Sequence, residues 1–185
     1  MSVHRWQAER LLACAQGHTP LRSLLEIEAR ELRGLRALAR RLRRAGRRAQ
    51  ARAIVEGCLA LDGLDAPSWT LLAELALADA RFEEALGAAE AALQIAAAVA
   101  RLDPWADLLA ARALLGLGAG ERARPHLERL LASDAADPLR AQAASLLGSD
   151  GARFGLGAAS PRPEGSACAL SIGAQNDALE ERALP

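Results

Sequence analysis

The chain has 185 residues, of which 51% are apolar, and its 23 basic residues, all Arg, balance 23 acidic ones. Ala and Leu dominate the apolar set while β-branched residues are scarce, which favours closely packed helices over strands. No run of about 18 apolar residues occurs, so we expect no membrane-spanning segment. The three cysteines, Cys14, Cys58 and Cys168, show no ligand spacing, which favours free thiols in a reducing, cytoplasmic compartment.

The first third of the chain predicts three helices. Residues 4–16 form one amphipathic pattern, which ends at the break Gly17-His18-Thr19-Pro20. A helical pattern then runs from Leu21 to Ala45, where Gly46 ends it, and a further helix is predicted from Ala49 to Leu61. The last two helices make a first helix–turn–helix unit.

Two more such units and a capping helix follow. Pro67 and Pro104 suit the starts of the second and third units, because Pro is tolerated in the first turn of a helix. A helix from Asp137 to Leu147 has no partner after it and predicts a cap. We therefore expect an N-terminal helical segment at 1–31, a repeat domain with its cap at 32–147, and a flexible, low-complexity tail at 148–185.

A small residue opens the second helix of each unit and sets the repeat length. Ala51 and Ala85 are 34 residues apart, and Ala85 and Ala123 are 38 apart. A 34-residue helix–turn–helix period is the tetratricopeptide signature, so the predicted fold is an all-α solenoid of three such repeats. The four extra residues fit one additional helical turn around Ala97 to Ala100.

A narrower resemblance lies at the junction of the first two units. The run from Leu61 to Leu72, LDGLDAPSWTLL, is similar to the corresponding junction in type III secretion chaperones of the SycD/LcrH class. This resemblance covers about Leu21 to Leu147 and implies a small cytosolic, non-catalytic protein that holds a hydrophobic translocator subunit in a concave groove before export. The run from Leu115 to Leu139 is more weakly similar to the chaperone of the secretion needle subunit.

The tetratricopeptide resemblance implies that the first helix of each unit lines the groove. One end of the groove would then be a cluster of guanidinium groups and the other an apolar surface with an exposed aromatic side chain, which suits an extended partner with acidic and apolar residues. The predicted partner-binding residues are Arg33, Arg36, Arg40, Arg43, Arg44, Thr70, Glu74, Leu77, Trp105, Leu108 and Arg112. An equal alternative is that these arginines only keep a helix face solvated.

Other functions have less support. Ten Arg and two Glu lie between Arg30 and Glu56, but no Lys, Tyr or Phe is interleaved for base stacking, so nucleic-acid binding is disfavoured. The histidines His4, His18 and His126 lie in different elements, and we expect no catalysis, metal site or cofactor. A generic scaffold in a larger assembly, a needle-subunit co-chaperone and a homodimer remain open alternatives.

Overall fold

A computed structural model describes residues 19–153 of the chain, with side chains described through Gly148. The predictions for residues 4–16 and for the tail beyond Arg153 lie outside this range. Every regular element within it is an α-helix. The eight helices are α1 (Leu21–Leu24), α2 (Ala29–Arg44), α3 (Arg48–Leu61), α4 (Ala66–Ala78), α5 (Phe82–Ala98), α6 (Pro104–Gly116), α7 (Gly120–Ala132) and α8 (Asp137–Arg153).

Three helical hairpins stack in sequence order. Unit one is α2 with α3, unit two is α4 with α5, and unit three is α6 with α7. Each second helix also contacts the first helix of the next unit, and α8 packs against α7 and α6 as a cap. The first helices α2, α4 and α6 touch in succession and so form one continuous surface, called the groove below. This arrangement confirms the predicted tetratricopeptide solenoid.

The buried face of each second helix confirms the repeat register. Ala51, Ala85 and Ala123 are all fully buried. A side chain larger than a methyl group at these positions would hold the two helices of a hairpin apart. The predicted inner positions four and seven residues further on are also buried. These positions are Val55 and Cys58 in α3, Ala89 and Ala92 in α5, and Leu127 and Leu130 in α7.

The turns inside the units share one backbone conformation. Gly46, Ala80 and Gly118 all have positive φ, and the residue after each donates its backbone N–H to a carbonyl five positions earlier, at 2.8–2.9 Å. This left-handed cap satisfies carbonyls that the helix end would otherwise leave unpaired. The turn residues expected from the repeat are therefore confirmed, and Ala80 bears the steric strain that glycine avoids at the other two turns.

Three helix boundaries differ from the predicted ones. The segment from Leu21 to Ala45 is two helices, since Glu26 has a φ of 57° and Glu28 starts α2 with a capping box to Glu31. The additional helical turn predicted around Ala97 to Ala100 ends at Ala98. Helix α5 has 17 residues against 14 in α3, so three of the four extra residues lengthen the helix and the fourth lengthens the connection to α6. Helix α8 continues through Gly148 to Arg153, so the predicted tail does not begin at Gly148.

Candidate peptide-binding groove

A cavity of about 300 Å³ lies in the groove where α2, α4 and the connection between α5 and α6 meet. Its walls combine aliphatic side chains with two arginines, one from unit one and one from the α5–α6 connection. The lining residues are Arg40, Ala66, Pro67, Thr70, Leu71, Glu74, Ile95, Ala96, Val99, Arg101, Leu102, Asp103, Pro104 and Trp105. The volume is at the lower end for sites that bind small ligands and suits one or two inserted side chains.

The floor of this cavity is organised by Glu74, which is 9% exposed at the middle of α4. Its Oε2 accepts a hydrogen bond from Arg43 of unit one, and its Oε1 accepts one from the Trp105 indole of unit three at 2.6 Å. A buried carboxylate is tolerated when hydrogen bonds satisfy both of its oxygens. Glu74 therefore links all three units, and its carboxylate is used for contacts within the repeat array rather than for binding a partner.

The five predicted arginines do not form one open stripe. Arg36 is buried, and its Nη1 donates to both carboxylate oxygens of Asp65 at 2.8 and 2.7 Å. Arg43 is engaged by Glu74, whereas Arg33 and Arg44 are exposed on α2. Of the five, Arg40 lines the cavity. The sequence pattern could not separate these roles because a helix with Arg on several faces gives no indication of which face is buried.

Two predictions for unit three were wrong about exposure. Trp105 was expected to be an exposed aromatic residue, but it is 8% exposed and its indole N–H is bonded to Glu74. Leu108 was expected at the groove surface, but it is fully buried in the core. Helix α6 is apolar on nearly every side and is packed by α5, α7 and α8, so periodicity within it could not identify an outer face.

The remaining predicted residues have mixed positions. Thr70 lines the cavity, and its hydroxyl donates to the Ala66 carbonyl at 3.0 Å. Leu77 is half-buried and packs against the core, and Arg112 is half-buried on α6, but neither lines this cavity. The structure thus brings Arg40, Thr70, Glu74 and Trp105 together out of the predicted set.

Sequence reasoning missed the apolar rim of the cavity. Val99 is 69% exposed and Leu102 is 70% exposed, and both follow the additional turn of α5. Leu102 and Pro104 also line a second cavity of about 190 Å³ beside Asp107 and Arg129. The signal available in the sequence was the four-residue excess between units two and three, since residues added beside a groove extend its wall.

A polar cluster within unit three lies beside this second cavity. Asp107 is 4% exposed, and its Oδ1 lies 2.9 Å from Nδ1 of His126 and 2.6 Å from Nη2 of Arg129. Burial raises the pKa of Asp107, but the hydrogen bonds from His126 and Arg129 outweigh it and hold the pKa below its ordinary value. Asp107 is therefore ionised, and its contacts with His126 and Arg129 stabilise the α6–α7 hairpin.

We found neither a metal-binding cluster nor a membrane span in the described part of the chain. Residues 19–153 contain no group of three or more His, Cys, Asp or Glu side chains that could hold a metal ion. Within the same range, no helix has the length and apolar character needed to cross a bilayer.

Solved structures resemble this fold over most of its length. A type III secretion complex from Aeromonas hydrophila matches with a TM-score of 0.70 and 21% identity, over 80% of this chain and 99% of that one. The type III secretion translocator chaperone SycD from Yersinia enterocolitica, in an alternative dimer form, matches with a TM-score of 0.63 and 21% identity, over 71% and 99%. A CopN–Scc3 complex matches with a TM-score of 0.59 and 12% identity, over 70% and 75%.

Sequence comparison adds no closer assignment. No known protein family matches the chain, and no curated protein matches it in sequence. At these identities the structural matches establish a shared fold, which is the helical repeat fold of the SycD translocator chaperones.

Proposed function

We propose that the protein is a non-catalytic chaperone of the type III secretion pathway that binds an exported subunit in its groove, in the cytoplasm, before export. The proposed cargo is a translocator subunit, and the bound part is an extended segment. The shared fold with SycD supports the general class. The groove cavity supports peptide binding as the mode of action.

The observation that carries the proposal is the pairing of exposed apolar side chains with positive charge at one cavity. Val99 and Leu102 are exposed on its rim, while Arg40 and Arg101 lie in its walls. An aliphatic side chain with a carboxylate close to it in an extended segment would complement both features.

Co-expression with translocator and needle subunits from the same organism tests the class of cargo. We expect the translocator to remain soluble and to co-purify with the chain, because an exposed hydrophobic segment aggregates when it has no partner. If the translocator does not co-purify and deletion of the chain causes no loss of translocator solubility, the proposal is contradicted and a scaffold role is favoured. Recovery of the needle subunit alone would redirect the proposal to a needle-subunit chaperone.

The apolar half of the site has a matched control in the chain. Leu102 and Leu64 are 70% and 74% exposed, and each precedes the first helix of a unit by two residues, but Leu64 does not line the cavity. We expect Leu102→Ser to weaken translocator binding about tenfold and Leu64→Ser to leave it unchanged, measured by titration calorimetry. Equal effects of the two substitutions would contradict the assigned site.

The charged half can be tested in the same assay. We expect Arg40→Glu to weaken binding about tenfold and to do so most at low ionic strength, because an acidic cargo would be repelled. Arg41→Glu is the control, since Arg41 is exposed on the same helix and does not line the cavity. Binding that is unaffected by Arg40→Glu would remove the acidic residue from the proposed cargo motif.

A further inference from the structure

The outer face of α2 is open at positions where the other first helices are buried. Leu38 is 43% exposed, whereas its repeat equivalents Leu72 and Ala110, 34 and 72 residues further along, are 7% and 0% exposed. Leu42 is half-buried, and its equivalents Ala76 and Leu114 are 0% and 1% exposed.

A missing neighbour explains this difference. Helix α4 packs against α3, and α6 packs against α5, so each later unit has the second helix of its predecessor beside it. Unit one has no predecessor within residues 19–153. An apolar helix face of this kind needs a helix-sized cover with small residues facing it.

The chain before Thr19 carries the side-chain spacing of such a second helix. In α3, α5 and α7 the buried positions follow an i, i+4, i+7 pattern, as in Ala51, Val55 and Cys58. Ala8, Leu12 and Ala15 repeat this spacing. The amphipathic stretch 4–16 is 13 residues long, equal to the length of α7.

The connection to unit one has a suitable length and position. Ala8 and Ala51 are 43 residues apart, nine more than the 34-residue repeat. The nine residues from 20 to 28 hold α1 and its flanking turns. Helix α1 contacts α3, and Arg22 pairs with Asp62 at 2.5 Å, which holds this connection at the end of the unit where α2 begins.

We propose that residues 4–16 form a helix that packs on the outer face of α2, as the second helix of a preceding half repeat, with Ala8, Leu12 and Ala15 against Leu38 and Leu42. This N-terminal half repeat closes the first end of the solenoid. It also supports α2, which carries Arg36, Arg40 and Arg43 at the groove. The proposal is independent of the identity of the cargo.

Thiol labelling of the full-length chain tests the docking. Leu38→Cys and Leu131→Cys provide a matched pair, because the two native side chains are 43% and 36% exposed on described helices. With labelling at each cysteine followed by peptide mass spectrometry, we expect Cys at position 38 to react at least tenfold more slowly than Cys at position 131. Equal rates would overturn the proposal.

Two further labelling experiments identify which part of the protein covers the outer face of α2. Leu12→Asp, introduced into the Leu38→Cys chain, should raise the labelling rate at position 38 to that of position 131, because an aspartate at Leu12 cannot be buried in the contact. An unchanged, slow rate would overturn the assignment to residues 4–16. Protection that disappears on dilution would also overturn it, since the cover would then come from a second copy of the chain.

A double-mutant cycle checks the same contact without a charged substitution. Leu12→Ala and Leu38→Ala should each lower the urea midpoint, and the double variant should lower it by clearly less than the sum of the two shifts. Leu12→Ala combined with Leu131→Ala is the control and should be additive. Additive shifts for the Leu12 and Leu38 pair would contradict the proposed packing.

Discussion

The two junctions between repeat units are built from different interactions. Ion pairs cross the first junction, between units one and two, and they include Arg36 with Asp65, Arg43 with Glu74, Arg48 with Asp79, and Arg52 with Glu84. The second junction, between units two and three, packs the buried alanines of α5 against the apolar surface of α6, with the hydrogen bond from Trp105 to Glu74 at its edge.

This difference explains the charge segregation in the sequence. The Arg-rich stretch from Arg30 to Glu56 is followed by Gly57 to Ala100, which holds seven acidic residues and one Arg. The two stretches fold against each other, and four of the seven acids pair with arginines of unit one across the first junction. Much of the positive charge that first suggests a partner is therefore used inside the repeat array.

The apolar core of unit three should give the largest loss of stability. We expect Leu108→Ala to lower the free energy of unfolding by about 3–4 kcal/mol, because a fully buried leucine leaves a cavity in a closely packed core. Urea denaturation followed by circular dichroism measures this loss. Leu131→Ala, at a position that is 36% exposed, should cost much less, and similar losses would contradict the packing described here.

A substitution at Glu74 tests the polar contacts of both junctions at once. Glu74→Ala should cost about 2–3 kcal/mol, because Arg43 and the Trp105 indole would lose their acceptor in a largely buried site. The shift in the urea midpoint measures the loss. Glu83→Ala, at an exposed position of α5, is the control, and a loss as large there would contradict the role given to Glu74.

Replacing glycine by alanine should change the stability of the fold in opposite directions at the second junction and on an open helix face. A Cβ added at Gly116 would lie within 3 Å of the Phe82 ring, whereas one added at Gly87 meets nothing within 4 Å. We expect Gly116→Ala to destabilise the fold by about 1–2 kcal/mol and Gly87→Ala to stabilise it by about 0.5–1 kcal/mol. Thermal unfolding midpoints report both signs, and a gain from Gly116→Ala would disprove the close approach of Phe82.

The pH dependence of unit three should give the smallest effect. The folded pKa of Asp107 lies below its unfolded value of about 3.9, so ionised Asp107 stabilises the fold above about pH 4. This stabilisation is lost as the pH falls through the folded pKa. We expect Asp107→Asn to be less stable than the native chain at pH 7 and the difference to shrink below pH 4, as measured by urea titrations at each pH. A constant difference would contradict the lowered pKa.

Local sequence patterns were sufficient for the fold but not for the groove surface. Ala51, Ala85 and Ala123 predicted the repeat correctly, because a position between two close helices accepts only a small side chain whatever lies around it. Arg36 and Leu108 were misplaced, because their exposure depends on Asp65 in the next unit and on the helices around α6. The rim residues Val99 and Leu102 could not be recognised before the path of the α5–α6 connection was known.

The sequence by itself determined the repeat length, the three helical hairpins and their turns, since these follow from side-chain size and backbone preference over a few neighbouring residues. Tertiary structure alone decided which arginines are paired within the array, which aromatic side chain is buried and which side chains border the cavity. These properties depend on contacts between residues about 30 positions apart, and such contacts are set by how one unit stacks on the next.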